Sequence, residues 1–479
     1  MRLLATGLLL GNGAAIAVSA AQEYTVSVDN SLSRLAVEAR FTHPVDRVAV
    51  RSRDAAKFLL DVRGCSDDQP VTIRNRRMVL PDGGITCLTY TVDLERAAKE
   101  HRYSELLARE NVIVSPSYWM WRPEVDNDTT IRIEFRLTED IQVSVPWRRL
   151  GLNTTAYELS LSPESAYAPA IFGAFDFREI EVPGATLRVT LVRGAEEMDH
   201  DAIVRWIKAT ATDVRLAYGR FPNPSPQVVV IPVGGSRRNS RSAVPFGRVI
   251  RDGGETVELQ VDQTQPLEAL LGDWTATYEF SHLMLPYVDR KHRWISEGFA
   301  QYYQNVLLTR SGAYDNLYAL QKIYNGYERG RQSRPDLSPN GAAAGGVRSG
   351  LMKCYWSGAA IALMADVQLR ERSGGSNSLD DVLDRFQACC LPPERIWTGP
   401  ELFAKFDELA GSPVFTPLYR RHADTVGFPD TGEVLERLGL TVSDGKISIR
   451  ASAELQAIRE SILQTDHATA SWRQQLAAD

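Results

Sequence analysis

The sequence predicts a multidomain chain: an N-terminal all-β domain, an α+β domain, and a mainly helical C-terminal region. Three observations predict it. The first third carries short runs of alternating or β-branched residues separated by Gly, Pro, Asn and Asp. From about Leu187 a strand, a helix, an apolar strand and a hairpin follow in succession. Beyond Gln332–Gly350 the runs lengthen to helical size. At 479 residues the chain exceeds what one hydrophobic core can hold.

The elements follow in chain order. Residues 1–21 read as a secretory signal, with Arg2 as the positive start and Leu3 to Val18 as a short apolar run broken by Asn12. Ser19-Ala20-Ala21 supplies small residues for cleavage before Gln22. The apolar run is too short and interrupted for a stable membrane span, and no other stretch reaches spanning length. The mature chain is therefore expected to be exported, periplasmic or extracellular, with no transmembrane segment after signal removal. Residues 22–185 form the β-rich domain, with strands at Tyr24–Val28, Leu35–Phe41, Phe58–Val62, Ile85–Val92 and Thr130–Leu137. Residues 186–330 form the α+β domain: a strand at Leu187–Val192, a helix at Asp199–Tyr218, an apolar strand Gln227–Pro232, and a hairpin near Phe246–Arg251 and Thr256–Val261 turning at Asp252-Gly253-Gly254. A helix then opens near Pro266 and closes at Pro286. Residues 331–479 form the helical region. Gln332–Gly350, rich in Ser, Pro, Asn, Gly and Ala, reads as a long mobile loop. Helices follow at Tyr355–Arg372, from a capping start at Ser378, and at Glu401–Leu409 and Ala453–Leu463.

Hydrophobic content of 44%, charged content of 24% and a formal charge of −6 suit a soluble globular protein and argue against nucleic acid as a main partner. Five cysteines fit an oxidising compartment. Cys65 and Cys87 flank a polar, turn-rich segment and would close a loop worth about 3 kcal/mol. Cys354, Cys389 and Cys390 lie later, and the odd count leaves at least one thiol unpaired. Asn127-Asp-Thr and Asn153-Thr-Thr match the glycosylation pattern.

The chemistry-bearing stretch is Trp274-Thr-Ala-Thr-Tyr278-Glu279-Phe280-Ser281-His282. It has the layout of H-E-x-x-H with Tyr278 in the place of the first His. That motif works because positions i and i+4 share one helical face, so two imidazoles reach one metal ion while the Glu reaches its bound water. Zinc would lower the water's pKa and the Glu would take its proton. Here Glu279 is the candidate base, His282 one ligand and Glu297, in Trp294-Ile-Ser-Glu297-Gly298-Phe-Ala-Gln-Tyr302-Tyr303, another. Fourteen residues separate His282 from Glu297, enough for a turn and a returning helix. Leu271, Trp274, Tyr278, His282 and Leu285 recur at three- and four-residue steps, as one inward face. Three readings of Tyr278 stand open. It is a core aromatic in a metal-free site, or it lines a site that holds zinc through His282, Glu297 and a further donor, or it ligates through its phenolic oxygen. A neutral phenol is a poor ligand, since its pKa near 10 opposes ionisation.

These blocks, with Tyr355-Trp-Ser-Gly358-Ala-Ala, Leu369-Arg-Glu-Arg-Ser-Gly-Gly375 and Ser378-Leu-Asp-Asp-Val-Leu383, resemble the gluzincin zinc metallopeptidases, especially the glycyl-aminopeptidase family related to leukotriene-hydrolase-type aminopeptidases. The resemblance implies a thermolysin-like α+β domain, zinc as cofactor, and Tyr355 as a donor to the developing oxyanion. The sequence departs from the family in three places. Tyr278 replaces a ligand, the ligand spacing is fourteen where the aminopeptidase relatives have eighteen, and their Gly-x-Met-Glu-Asn segment is absent. Val233-Gly-Gly-Ser236 or the Phe246–Arg251 strand stands in its region, which makes Phe246, Gly247 and Arg248 candidate substrate-binding residues.

The neighbouring polar residues have plainer readings. His292, beside Lys291 and Arg293, reads as a solvated turn histidine. His43, His101, His200, His422 and His467 lie outside the motif blocks. Arg237, Arg238, Arg241, Arg248 and Arg251 read as a solvated hairpin, with recognition of acidic or carboxylate groups as the alternative. Trp274, Tyr302 and Tyr303 read as packing residues. Two functions remain. One is an exported metallopeptidase with an altered zinc site; the other is a catalytically silent peptidase fold that binds peptides or a protein partner.

Overall fold

The structure is a computed structural model that describes residues 22–65, 71–74, 76–100, 110–123, 130–151, 154–160, 168–194, 197–234, 242–251, 254–346, 350–392 and 395–478. The leader, His101, the first glycosylation sequon, Asn153 of the second, Arg237, Arg238, Arg241, the Gly235-Ser236 pair and the Asp252-Gly253 turn lie outside the described residues.

The chain is multidomain, with β-rich sheets first and helices last. Seven strands build the first large sheet: β1 (Gln22–Val28), β2 (Arg34–Val45), β3 (Leu59–Gly64), β4 (Ile85–Asp93), β5 (Thr130–Arg136), β6 (Arg148–Arg149) and β7 (Ala156–Ser160). Their order across the sheet is β6-β7-β5-β1-β2-β4-β3. The period of two does what it predicts. Tyr24, Val26 and Val28 point inward from β1, and Ile131, Ile133 and Phe135 from β5. They pack with Trp119, Trp121 and Trp147 into an aromatic-rich core. Cys65 pairs with Cys87, tying the end of β3 to β4.

A five-stranded sheet follows: β8 (Asp176–Val182), β9 (Ala185–Leu191), β10 (Gln227–Pro232), β11 (Phe246–Ile250) and β12 (Thr256–Val261). The order is β8-β9-β10-β12-β11, with β9, β10 and β12 parallel and β11 antiparallel at the edge. Between β9 and β10 runs helix α1 (His200–Val214), capped by Asp199. One face of the sheet packs on helices. The other meets the β-rich part through Thr190, Ser144, Gln227 and Thr256, a run of hydrogen bonds of 2.6–2.8 Å.

The predicted helix from Pro266 is two helices, α2 (Leu267–Gly272) and α3 (Thr275–His282). Asp273 adopts extended backbone between them, and its carboxylate accepts from the Thr275 amide at 2.8 Å. This break restarts the helix at the motif and turns Trp274 outward, so the five-residue inward face holds at Tyr278 and His282 but not at Trp274, which is 39% exposed.

Next come α4 (Trp294–Arg310), α5 (Asn316–Gln332), α6 (Pro339–Ala344), α7 (Leu351–Ser373), α8 (Leu379–Cys390), α9 (Gly399–Ala410), α10 (Phe415–His422) and, at the end, α11 (His467–Ala478). Helix α6 lies inside the stretch expected to be a mobile loop. Ser338 caps it, Pro339 opens it, and Ala342 and Ala343 are buried, so small side chains there serve close packing rather than flexibility. Ser378 caps α8 as expected. Cys389 and Cys390 are bonded to each other, which leaves Cys354 as the odd thiol, buried. Among the described residues no helix is long and apolar enough to cross a membrane.

Helices α4 and α7 cross where Gly298 faces Gly358. A Cβ on either would overlap the other helix's backbone. Below the crossing a buried ionic network holds α4, α7 and α8. Tyr302 donates to Asp366 at 2.8 Å and Tyr303 to Asp380 at 2.9 Å. Arg370 reaches both carboxylates, and Arg310 reaches Asp380 at 2.8 Å.

Candidate active site

The motif residues meet in one place. Tyr278 and His282 sit one turn apart on α3, with ring centroids 4.7 Å apart. Glu297 lies in the first turn of α4, where the helix dipole favours a carboxylate. The Tyr278 hydroxyl donates to Glu297 Oε2 at 2.5 Å. His282 Nε2 stands 3.6 Å from the same oxygen. The other ring nitrogen, Nδ1, is 3.0 Å from the Ser296 hydroxyl, which fixes the imidazole with Nε2 towards Glu297. Tyr355 lies early in α7, its ring 6.0 Å from that of Tyr278 and within electrostatic reach of Glu279 and Glu297.

Glu279 is 6% exposed, yet its carboxylate has neither a hydrogen bond nor an ion pair among the described residues. Burial pushes its pKa well above the ordinary carboxylate value; Glu297 adds to the rise and Arg251 opposes it. Burial raises Glu297 as well, against the hydrogen bond from Tyr278 and the charges of Arg293 and Arg251. The Tyr278 phenol is driven well above 10 by burial, then by Glu297, Tyr355 and Glu279, so it stays a neutral donor.

Edge strand β11 borders this cluster. A Cβ at Gly247 would fall 2.5 Å from Glu279 Cγ, so only glycine lets the strand pass so close. Strand alternation separates the three candidate substrate-binding residues. Gly247 faces Glu279. Phe246 packs on the opposite side with Val229, Ile231 and Ile171, and Arg248 on that side pairs with Glu258 at 2.8 Å. Arg251 is buried; its guanidinium holds the His282 carbonyl and Glu255. The two described arginines of the hairpin are therefore both paired with glutamates of the protein itself, Arg251 buried and Arg248 partly exposed.

Other residues depart from their sequence reading. His292 is buried, not solvated: Asp289 holds its Nδ1 at 2.8 Å and Tyr419 its Nε2 at 2.8 Å, while Gly399 packs on the ring. Tyr302 and Tyr303 pack in the core as read, and in addition their hydroxyls donate into the ionic network. Trp274 is exposed at the mouth of the cluster, edge-on to Tyr278 at 5.7 Å. Ser296 and Arg251 were missed as site-shaping residues. Ser296 had one signal, its place directly before Glu297.

The donors do not fit the zinc site that the resemblance implies. Such a site needs three protein ligands and a water. Among the described residues no three His, Cys, Asp or Glu side chains gather closely enough to hold a metal. His282 and Glu297 keep a spacing that two ligands of one ion can share. Tyr278 does not: at 2.5 Å from Glu297 it sits nearer than co-ligands about 2 Å from a tetrahedral ion would, and it gives its proton to the oxygen the metal would need.

The environment of His282 makes one prediction. Burial, aided by Arg251, lowers its pKa from 6.5 to about 3. Between these values the unfolded chain holds a proton that the native imidazole refuses. The residue's contribution is thus complete above 6.5 and is lost as pH falls towards 3. Thermal melts of wild type and His282→Asn should draw together on moving from about pH 8 to about pH 4. A gap that widens on acidification would contradict this burial.

No family model and no curated protein matches the chain. Solved structures do. An aminopeptidase N family protein from Idiomarina loihiensis superposes with a TM-score of 0.66 at 14% identity, over 88% of this chain and 79% of its own. An M1 zinc metallopeptidase from Deinococcus radiodurans aligns over 85% of this chain and 94% of its own, at 13% identity and a TM-score of 0.48. The first of these likenesses establishes a shared fold.

Proposed function

We propose that this chain is an exported, peptide-binding protein built on a peptidase fold, in which the place of a catalytic zinc is closed by the Tyr278–Glu297 hydrogen bond. That bond is the observation that carries the reading. It gives the site's accessible carboxylate a proton donor where a hydrolase would need a third metal ligand. Edge strand β11 supports the binding half of the proposal. Among the described residues it is last in its sheet, it runs beside Glu279, and extended peptides bind edge strands in general through main-chain hydrogen bonds.

A second reading, an exported zinc metallopeptidase with Glu279 as base and Tyr355 as oxyanion donor, draws on the 3.6 Å spacing of His282 and Glu297. Metal analysis of the purified mature chain, beside peptide capture and mass spectrometry of the captured pool, separates the two. The binding reading expects zinc below about one-tenth of an equivalent after dialysis, since two ligands hold it weakly, and peptides recovered uncut. One tightly held zinc with cleaved peptides would overturn it and install the hydrolase.

A further inference from the structure

We propose that a small four-stranded sheet in the β-rich part is a docking face for an anionic phospholipid surface, an assignment that stands apart from the peptide-binding reading. The sheet runs Thr72–Arg74, Arg77–Val79, Arg47–Ala49 and Arg122–Pro123, in that order. Strand alternation gives it two unlike faces. Met78 and Val48 lie opposite each other and are fully buried against the core. The other face carries Arg74, Arg77, Ala49 and Arg122 in one row across the strands, and Thr72, Val79 and Arg47 in the next. None of the four strands contains Asp or Glu. Arg47, Arg74 and Arg77 are exposed, as is Arg76 in the turn between the first two strands, and Arg122 is half-buried.

The first observation is uncompensated charge. Among the described residues Arg47, Arg74 and Arg76 form no ion pair; the Arg76 guanidinium donates only to the Arg51 carbonyl, at 3.3 Å. Arg74 stands directly opposite Arg77, and like charges so placed weaken a sheet. An anion laid across the row turns that repulsion into attraction. Guanidinium forks match phosphate oxygens two at a time, and the face holds arginine without lysine. The chain's formal charge of −6 does not decide the contact. Charges beyond about 10 Å are largely screened at ~0.1 M salt, so the local excess does.

The second observation is apolar. Val79, 46% exposed, sits beside Arg47 on this face, and Ile73, 37% exposed, lies in the edge strand. A lipid interface accepts both features: phosphates meet the arginines while short apolar side chains pass beneath them to the acyl boundary. An acidic polypeptide would satisfy only the first.

The test is co-sedimentation of the mature chain with vesicles of phosphatidylcholine, alone or mixed with phosphatidylglycerol. At low salt the wild type should partition at least about thirtyfold better onto the anionic vesicles, and high salt should remove the preference. The triple variant Arg47→Gln, Arg74→Gln, Arg76→Gln should cut anionic binding at least about tenfold. A control triple variant, Arg420→Gln, Arg421→Gln, Lys446→Gln, removes the same charge from exposed sites elsewhere and should keep it. Both should melt with the wild type, and Val79→Ser should weaken binding several-fold. Equal wild-type partition onto the two vesicles would overturn the assignment; Asp67, Asp68, Glu124, Asp126 and Asp128, next to the sheet in sequence, would then be neutralising the face. An equal loss in both triple variants would also overturn it, as an effect of net charge alone. Retention on immobilised polyglutamate without vesicle binding would overturn it in favour of an acidic polypeptide.

Discussion

Tyr278→His should convert the cluster into a zinc site and raise zinc affinity by at least about a hundredfold, because a second imidazole supplies the third protein ligand and a water completes the tetrahedral set. The new ring would lie one turn from His282 on the same face of α3, where the ring centroids are already 4.7 Å apart. It would also remove the phenol that now donates to Glu297, freeing that carboxylate for the metal. Peptide hydrolysis should appear with the metal. Glu279→Gln in the same background should then cut turnover by about two to four orders of magnitude while zinc content stays the same, since a general base does not ligate. Zinc quantification and a peptide-cleavage assay on the three proteins check this. A wild type that already binds one zinc and loses both zinc and activity on Tyr278→His would make Tyr278 a working ligand. A double negative, with neither zinc nor cleavage in the single variant, would mean that the scaffold has lost more than one group.

The second large effect concerns stability. Gly358→Val should destabilise the fold by about 3 kcal/mol or more. A side chain there would run into the Trp294 carbonyl and the Gly298 backbone, atoms that cannot rotate away. Helices α4 and α7 would have to separate, carrying Glu297 away from α3 and Tyr355 away from Tyr278. Chemical denaturation should show a lower midpoint, and tyrosine and tryptophan signals of the site should change before global unfolding. An exposed helical glycine offers no comparable contact. If Gly358→Val melted with the wild type, the close crossing would be wrong.

Much of this arrangement could be read from the chain, for identifiable reasons. The strands of the first sheet alternate because one face is buried, so Tyr24–Val28 and Thr130–Leu137 announced themselves. The i, i+4 step placed Tyr278 beside His282, and Pro286 with the fourteen-residue spacing allowed a returning helix to bring Glu297 back. What was not readable depended on contacts distant in sequence. Nothing near His292 signalled that Tyr419 would bury it. Nothing near Arg251 signalled the His282 carbonyl. The break at Asp273 was hidden because the apolar phase runs through it, and the phase alone could not show that Trp274 faces outward. Helix α6 was hidden by composition, since Ser, Pro, Asn, Gly and Ala serve tight packing as well as they serve loops.

Four members of the buried lattice, Tyr302, Tyr303, Arg370 and Asp380, lie within the stretches that give this chain its peptidase look, and Arg310 and Asp366 lie on the same helices α4 and α7. Deleting one of its charged members strands a charge inside the protein, at a cost of about 3–5 kcal/mol. Those letters are therefore held in place by folding, whatever happens to catalysis. A pattern search that scores them measures architectural upkeep rather than enzymatic competence. Living and silent members of such a fold would look alike to it, and a change at a ligand position, such as the phenol on α3, would weigh no more than any other letter.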